Sequence, residues 1–364
     1  MTVASPVPSP LVPTDIAQIA RRNLPEDVWD FLAGGAGDES TMDADRAALE
    51  RIGLVPKVLR GVSECDLTTE LCGTGCELPL AVAPIAYHRM YHPDGEIATA
   101  RAAGSVGVPM TIGTLSSVSI EDIAETGCDT WFQLYWLREP ERRHRLIARA
   151  EAAGCRALVV TADTPWMGRR LRDMRHGFTV PDGVVAANLI DGPTVGTSVA
   201  THTRQLFDPT LNWDDLARLR QLTSLPIILK GVLDPDDARR AVDCGASAVV
   251  VSTHGGRQMD TVAPAAIMLS EVATAVSGQC QVLFDSGIRG GADIARVLAS
   301  GADGVLIGRP AMWGLAANGA AGVEQVLDLL ADELRDTAGL AGCRNVTDIK
   351  RLRTVPRHTG RIDR

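Results

Sequence analysis

The chain has 364 residues, 45% of them hydrophobic and 22% charged, which suits one large globular enzyme domain or two smaller ones. A formal net charge of -9, without a basic run, argues against nucleic acid or an anionic membrane as partner. No apolar stretch reaches the ~18 residues that a membrane span needs. The eight cysteines (Cys65, Cys72, Cys76, Cys128, Cys155, Cys244, Cys280 and Cys343) form no C-x-x-C and no metal-ligand set, so a reduced, cytoplasmic, metal-free protein is expected.

Residues 1–13, M-T-V-A-S-P-V-P-S-P-L-V-P, lack the cationic start and apolar core of a signal peptide and read as a disordered Pro-rich lead. A single domain over 14–364 is expected to follow. Helices are predicted over Thr14–Ala20, Pro25–Ala33 and, after the break at Gly34, Gly35 and Gly37, Thr41–Arg51. From Leu80 short apolar strands alternate with Ala- and Arg-rich helical stretches. The strands predicted are Leu80–Ala83, Pro109–Ile112, Thr130–Leu134, Ala157–Val160, Pro226–Leu229, Ala246–Val251, Val282–Phe284 and Gly304–Ile307. Eight strand–helix units over this length predict an α/β fold, a (β/α)8 barrel. An open nucleotide-binding sheet would need an early G-x-G-x-x-G, and none is present. Between Arg170 and Trp213 the periodicity lapses, and residues about 175–208 are expected to form a mobile lid over the barrel mouth.

The strands end in residues that carry chemistry: Pro84, Gly113, Gln133 and Tyr135, Thr161 and Asp163, Lys230, Ser252 and His254, Asp285, Gly308 and Arg309. In such a barrel these ends converge on one mouth. The segment V-S-T-H-G-G-R-Q-M-D at Val251–Asp260 delivers an imidazole, His254, and a guanidinium, Arg257, to one place. Alone it reads as an ordinary loop. T-A-D-T-P-W-M-G-R-R adds Asp163 and Arg170: an acid can orient a catalytic histidine, and an arginine pair suits a carboxylate. Lys230, ending an apolar strand, requires an anionic neighbour or a path to the rim. Gly287, Arg289 and Gly290 before one helix and Gly308 and Arg309 before the next read as a phosphate grip.

Jointly the S-x-H-G-G-R-Q, L-x-K-G-V, T-x-D-T-P-x-x-G-R-R, F-Q-L-Y and D-x-G-x-R segments resemble the FMN-dependent α-hydroxy acid oxidase and dehydrogenase family, over nearly the whole chain. The resemblance implies bound FMN, a small-molecule 2-hydroxy acid substrate, O2 as electron acceptor, and an assembly of four or eight copies. It makes His254 the base, with Asp163 supporting its imidazolium form. Arg170 and Arg257 would hold the substrate carboxylate and Tyr135 its oxygen. Lys230 would sit at the N1 and C2-carbonyl edge of the flavin, with Pro84, Ile85 and Ala86 along its ring and Gln133, Thr161 and Ser252 at its polar edge. Asp285 would hold the ribityl chain, and Gly287, Arg289, Gly308 and Arg309 the phosphate.

Three departures stand out. The family's S-N-H-G-G is S-T-H-G-G, with Thr253 in the second place. A flavin-contacting serine is replaced by Gly113, leaving Thr114 as substitute. A substrate-binding tyrosine is Phe31. Without that hydroxyl, and with Tyr87, Leu115 and Met167 nearby, the expected substrate is a larger, aryl acid. The P-I-A-Y-H segment is similar to hydroxymandelate oxidases in this respect. The alternatives are a small aliphatic acid such as lactate or glycolate, a flavin-type isopentenyl diphosphate isomerase, or a non-catalytic flavoprotein.

Overall fold

The computed structural model describes residues 10–189 and 199–357. Eight strands close into an all-parallel barrel in chain order: β1 Leu80–Val82, β2 Met110–Ile112, β3 Thr130–Leu134, β4 Ala157–Thr161, β5 Ile227–Val232, β6 Ala248–Val251, β7 Gln281–Phe284 and β8 Gly304–Ile307. The last strand pairs with the first, Val305 beside Leu80. Two strands begin one residue later than the sequence predicts, after Pro109 and Pro226. Proline has no N–H to give a ladder, although both carbonyls still accept bonds, from Val82 and Leu158 at 2.9 Å each. β6 starts at Ala248 rather than Ala246, and β5 runs on past Lys230 through an irregularity at Gly231.

Side chains alternate in and out along each strand, so the barrel interior can be followed rung by rung. Ala81, Trp131, Ala157, Val159, Ile228, Ala248, Val250, Leu283 and Leu306 form one buried cluster. The small residues leave room for the Trp131 indole. Two positions further along the strands come Gln133, Thr161, Lys230, Ser252 and Asp285, all buried and all polar. The apolar floor therefore supports a polar layer at the carboxyl ends of the strands.

The floor is closed by a hairpin that the sequence reading missed, Thr69–Leu71 with Thr74–Cys76. Leu71, Cys72 and Cys76 join the interior cluster, and the Trp131 indole N–H donates to Thr74 Oγ1 at 3.0 Å. Its two turn residues, Cys72 and Gly73, both have positive φ (50° and 78°), as a two-residue hairpin turn requires. Cys-Gly lacks the Asn-Gly or Asp-Gly signal that would have given the turn away. A second antiparallel pair, Ile52–Val55 with Arg353–Pro356, ties distant parts of the chain together.

The N-terminal helices are Pro13–Asn23, Glu26–Ala33 and Ser40–Glu50. Residues 1–9 of the expected lead lie outside the described residues, and the first helix starts at Pro13, within the lead, because proline suits a helix's first turn. That helix packs on Arg309–Leu340, the long helix after β8, which is kinked at Asn318 and Gly319. In the connection after β4, Leu171–His176 and Val199–Leu206 are helical and Ala187–Leu189 makes a 3-10 turn. The Phe178 ring stacks on Phe31 at 4.6 Å and Phe207 on Tyr135 at 4.4 Å. Residues 190–198 of the expected lid lie outside the described residues.

Candidate active site

His254 opens the turn after β6 with φ +57°, a backbone region that costs a non-glycine residue about 1–2 kcal/mol. Two sets of bonds hold it there. Its own N–H donates to Ser252 Oγ at 2.9 Å, and the N–H groups of Thr253 and Gly255 both donate to Ser286 Oγ at 3.1 Å. Asp163, beyond β4, accepts His254 Nδ1–H at 3.1 Å. Burial works to raise the Asp163 carboxyl, but the His254 charge and hydrogen bond and the Lys230 charge outweigh it and hold it below its ordinary value. An ionised Asp163 fixes the proton on Nδ1 and leaves the lone pair on Nε2. Gln258 secures the Asp163 backbone, its Nε2 donating to the Asp163 carbonyl at 2.8 Å.

Lys230 lies in the polar layer, 4% exposed. Its ammonium pairs with Asp285 Oδ2 at 2.7 Å and donates to Ser252 Oγ at 3.0 Å. Burial alone would lower its pKa; the charges of Asp285 and Asp163 override that and leave it raised, so it stays protonated. Beside it, Gln133 Nε2 donates to Thr161 Oγ1 at 3.0 Å and Gln133 Oε1 accepts from Thr114 N at 3.0 Å. The Thr114 hydroxyl donates to the Gln133 carbonyl at 2.7 Å and accepts from Tyr135 N at 3.0 Å. These bonds engage the hydroxyl that the resemblance assigned to the flavin.

Four guanidinium groups gather at the mouth, Arg309 buried and Arg170, Arg257 and Arg289 half-buried, and none is in an ion pair among the described residues. Burial first, then the charge of Arg257, brings Arg170 down to about 9. Burial, then Arg46, brings Arg289 to about 10. Arg257 is lowered by burial, and Arg309 well lowered by burial and the other three arginines. Backbone carbonyls supply part of what is missing. Arg257 Nη1 donates to the carbonyls of Phe31 and Gly34 at 2.7 Å, and Arg309 to those of Leu32, Gly34 and Gly255 at 2.8–3.0 Å. Rings supply more: Phe31 lies 5.0 Å from Arg257 and 5.8 Å from Arg170, and Trp313 5.1 Å from Arg289. Uncompensated buried cations are costly, so this group is built to receive anions.

These residues line one cleft of about 1200 Å³ including its open mouth. Of the residues expected from sequence, Phe31, Pro84, Ile85, Ala86, Leu115, Tyr135, Thr161, Met167, Arg170, Lys230, His254, Arg257, Asp285, Gly287, Arg289, Gly308 and Arg309 are on its wall. Asp163, Thr114, Gln133, Ser252 and Tyr87 stand behind it. Tyr87 is buried in the core, its N–H bonded to the Leu115 carbonyl at 3.0 Å. The helix beginning at Arg309 opens onto the cleft, whereas the start of Gly291–Ala299 is already served by Glu333, which accepts from Gly291 N at 2.7 Å. Tyr91, Thr203, Phe207, Gln258 and Ser286 line the cleft and were missed. Thr203 and Phe207 come from the connection whose weak periodicity hid its helix, and Ser286 was readable beside Asp285 in D-S-G.

The model of the FMN-dependent dehydrogenase family matches residues 20–355. The chain is 52% identical to a 4-hydroxymandelate oxidase of Amycolatopsis orientalis over 346 residues, covering 93% of this chain and 97% of the relative. The chain belongs to the FMN-dependent dehydrogenase family. It is also 44% identical to an L-lactate oxidase of a Nostoc species over 355 residues, 94% of this chain and 97% of the relative. Among solved structures it matches a mandelate oxidase with a TM-score of 0.92 at 51% identity, covering 96% of this chain and 99% of the other. A mandelate oxidase with (S)-4-hydroxymandelic acid matches at 0.93 and 50% identity, over 95% and 99%. The protein is thus an FMN-dependent oxidoreductase acting on the CH–OH group of a hydroxy acid, in a (β/α)8 barrel. The donor set fits FMN: one helix start with Arg289 and Arg309 suits a single phosphate, and a protonated lysine in the polar layer suits an electron-rich ring edge. No helix among the described residues is long and apolar enough to cross a membrane.

Proposed function

We propose that the enzyme oxidises a 2-aryl-2-hydroxy acid to the 2-keto acid, with O2 as final acceptor and H2O2 as second product. The observation that carries this reading is the placing of Arg170 and Arg257, half-buried and without a carboxylate partner among the described residues, in the same cleft as His254 and the apolar side chains Phe31, Leu115, Met167 and Phe207. The guanidinium groups take the substrate carboxylate. Tyr135 donates to the substrate oxygen, and the apolar group packs on the aryl ring. His254 Nε2, its Nδ1–H held by ionised Asp163, accepts a proton from the substrate, and the ion pair with Asp163 stabilises the imidazolium that results.

FMN, when bound, supplies the two-electron acceptor. Pro84, Ile85, Ala86 and Thr161 would line its ring, with Gln133 and Ser252 behind them, bonded to Thr161 and Lys230. Lys230 would hold positive charge where negative charge develops, and Asp285 keeps that lysine in place and would take the ribityl chain. Gly287, Arg289, Gly308 and Arg309 would hold the phosphate. The helices of the connection after β4, through Phe178 and Phe207, close the cleft as a lid. An isomerase acting on a diphosphate has no use for two further arginines beside a His–Asp pair. The 4-hydroxymandelate and mandelate oxidases among the relatives support an aryl substrate. A cytoplasmic location belongs to the same reading, supported by eight free cysteines, five of them buried, and so does an assembly of several copies.

The test is an anaerobic titration with mandelate, 4-hydroxymandelate, lactate and glycolate, followed by admission of air. Bleaching by the aryl acids, with colour and peroxide returning in air, is the expected result. Bleaching by none of the four overturns the reading, and colour that does not return in air removes O2 as acceptor.

A further inference from the structure

The helix Ser40–Glu50 lies outside every motif above, yet it docks on two of the turns that carry them. Asp45, 2% exposed, accepts from the Thr253 hydroxyl at 2.5 Å and from Ala265 N at 3.0 Å, which fixes the helix against the turn of His254. The next residue, Arg46, reaches the turn after β7. Its Nη1 donates to the Gly287 carbonyl and to Asp293 Oδ2 at 2.6 Å each, and its Nη2 pairs with Glu50 at 3.2 Å. Helix and turn are in close contact. Gly287 has φ +84°, and a Cβ built on it stands 3.0 Å from Leu49 Cδ1.

Asp293, 3% exposed, draws the same turn together: it also accepts from Arg289 N at 2.9 Å and from Arg296 Nη1 at 2.6 Å. The peptide between Gly287 and Ile288 is trans. In a planar trans peptide the C=O and the following N–H point in opposite directions. Ile288 is on the wall of the cleft and Arg46 is not. With its carbonyl drawn outward to Arg46, this peptide turns the Ile288 N–H inward. That N–H has no hydrogen-bond partner among the described residues, although Ile288 is only 3% exposed. A buried donor without a partner is costly, and a turn that presents one suits an anion. The start of the next helix cannot serve instead, since Gly291 N is taken by Glu333. We propose that Arg46 is a positioning residue for the cofactor phosphate: it holds the Gly287 carbonyl away from the cleft and so aims the Ile288 N–H into it.

The inference rests on the phosphate reading of Gly287 and Arg289 given above. Asp293 supplies an internal control, because Arg46 and Arg296 both bond to it at 2.6 Å but only Arg46 also holds Gly287. Riboflavin supplies another, having the ring and ribityl chain of FMN without the phosphate.

The experiment dilutes protein loaded with FMN, or with riboflavin by exchange, and follows release by the fluorescence of free flavin. It compares wild type, Arg46→Met, Arg46→Lys and Arg296→Met. Wild type is expected to hold FMN much more tightly than riboflavin. Arg46→Met is expected to weaken FMN at least about tenfold, the loss of one hydrogen bond to a charged group, with riboflavin changed less than about twofold. Lysine keeps the charge but ends one bond short of Nη1, so Arg46→Lys is expected to weaken FMN about threefold or more. Arg296→Met, which touches no backbone of the turn, is expected to stay within about twofold of wild type for both flavins. The proposal is overturned if Arg46→Met holds FMN as wild type does, weakens riboflavin as much as FMN, or is matched by Arg296→Met. Full restoration by lysine overturns it too, since charge alone then accounts for the effect. If Arg46→Met does not fold, Arg46→Lys decides by the same ratio of FMN to riboflavin. Wild type holding the two flavins equally refutes the phosphate reading itself.

Discussion

Replacing Gly231 by alanine strikes the catalytic histidine without touching it. Gly231 lies at the irregularity in β5 with φ +103°, and a Cβ built there stands 2.5 Å from Asp163 Cγ and 2.6 Å from its Cβ. Ordinary contact begins near 3.4 Å, so Asp163 must retreat by nearly an ångström or the strand must shift. Either movement stretches the 3.1 Å bond to His254 Nδ1 beyond hydrogen-bonding range. A hydrogen bond to a charged group contributes about 1.5–3 kcal/mol, which corresponds to a roughly 10- to 150-fold slower proton abstraction. Backbone strain destabilises the fold by a further ~1–3 kcal/mol. The assay is stopped-flow bleaching of the bound flavin under anaerobic conditions, with the thermal midpoint measured alongside. Gly73→Ala is the control: its φ is +78° and its Cβ meets nothing within 4 Å, so it bears strain alone and should bleach at the wild-type rate. A Gly231→Ala enzyme that bleaches as fast as Gly73→Ala would refute the positioning role of Asp163.

Four further outcomes are expected. His254→Ala should retain FMN but bleach roughly 10²- to 10⁴-fold more slowly, and a near wild-type rate would place the base elsewhere. Aryl hydroxy acids should exceed glycolate and lactate in kcat/KM by at least about tenfold, ~1.4 kcal/mol, and Phe31→Tyr should narrow the gap by improving the small acids more; equal turnover of glycolate and mandelate by the wild type removes the argument. Mass spectrometry of the released cofactor should give FMN and not FAD. Arg289→Met should weaken FMN by about 10- to 150-fold, the equivalent of ~1.5–3 kcal/mol, yet leave the apoprotein no less heat-stable, because a buried unpaired charge has gone; unchanged FMN affinity would take Arg289 out of the phosphate site.

The barrel was legible because each strand is short, apolar and bounded by a change of character, and its polar layer because each run stops in a residue no apolar strand needs. Lys230, His254 and Asp285 were visible for that reason. The Cys72-Gly73 hairpin was not, since its turn is set by backbone angles that a cysteine does not advertise. Asp45 was invisible for a different reason. It lies on the buried face of its helix with Thr41, Ala48 and Leu49, and only the docking of that helix against the turn of His254 brings its carboxyl to Thr253. Thr114 shows the reverse limit: its place beside the strand end was readable, but a hydroxyl's choice between a ligand and its own backbone is made in three dimensions.

The Trp131 indole fills the barrel's centre because Ala81, Ala157 and Ala248 concede the volume, and it is pinned from below by Thr74. A larger residue at any of those alanines collides with the indole, while a smaller one at Trp131 opens a void beneath the polar layer. Evolution or a designer must therefore change this group in concert or leave it alone. The wall above is less tightly coupled: selection for a new acid can explore Leu115 and Met167 one at a time, whereas Phe31 is stacked on Phe178 and Phe207 on Tyr135, and the floor stays effectively frozen.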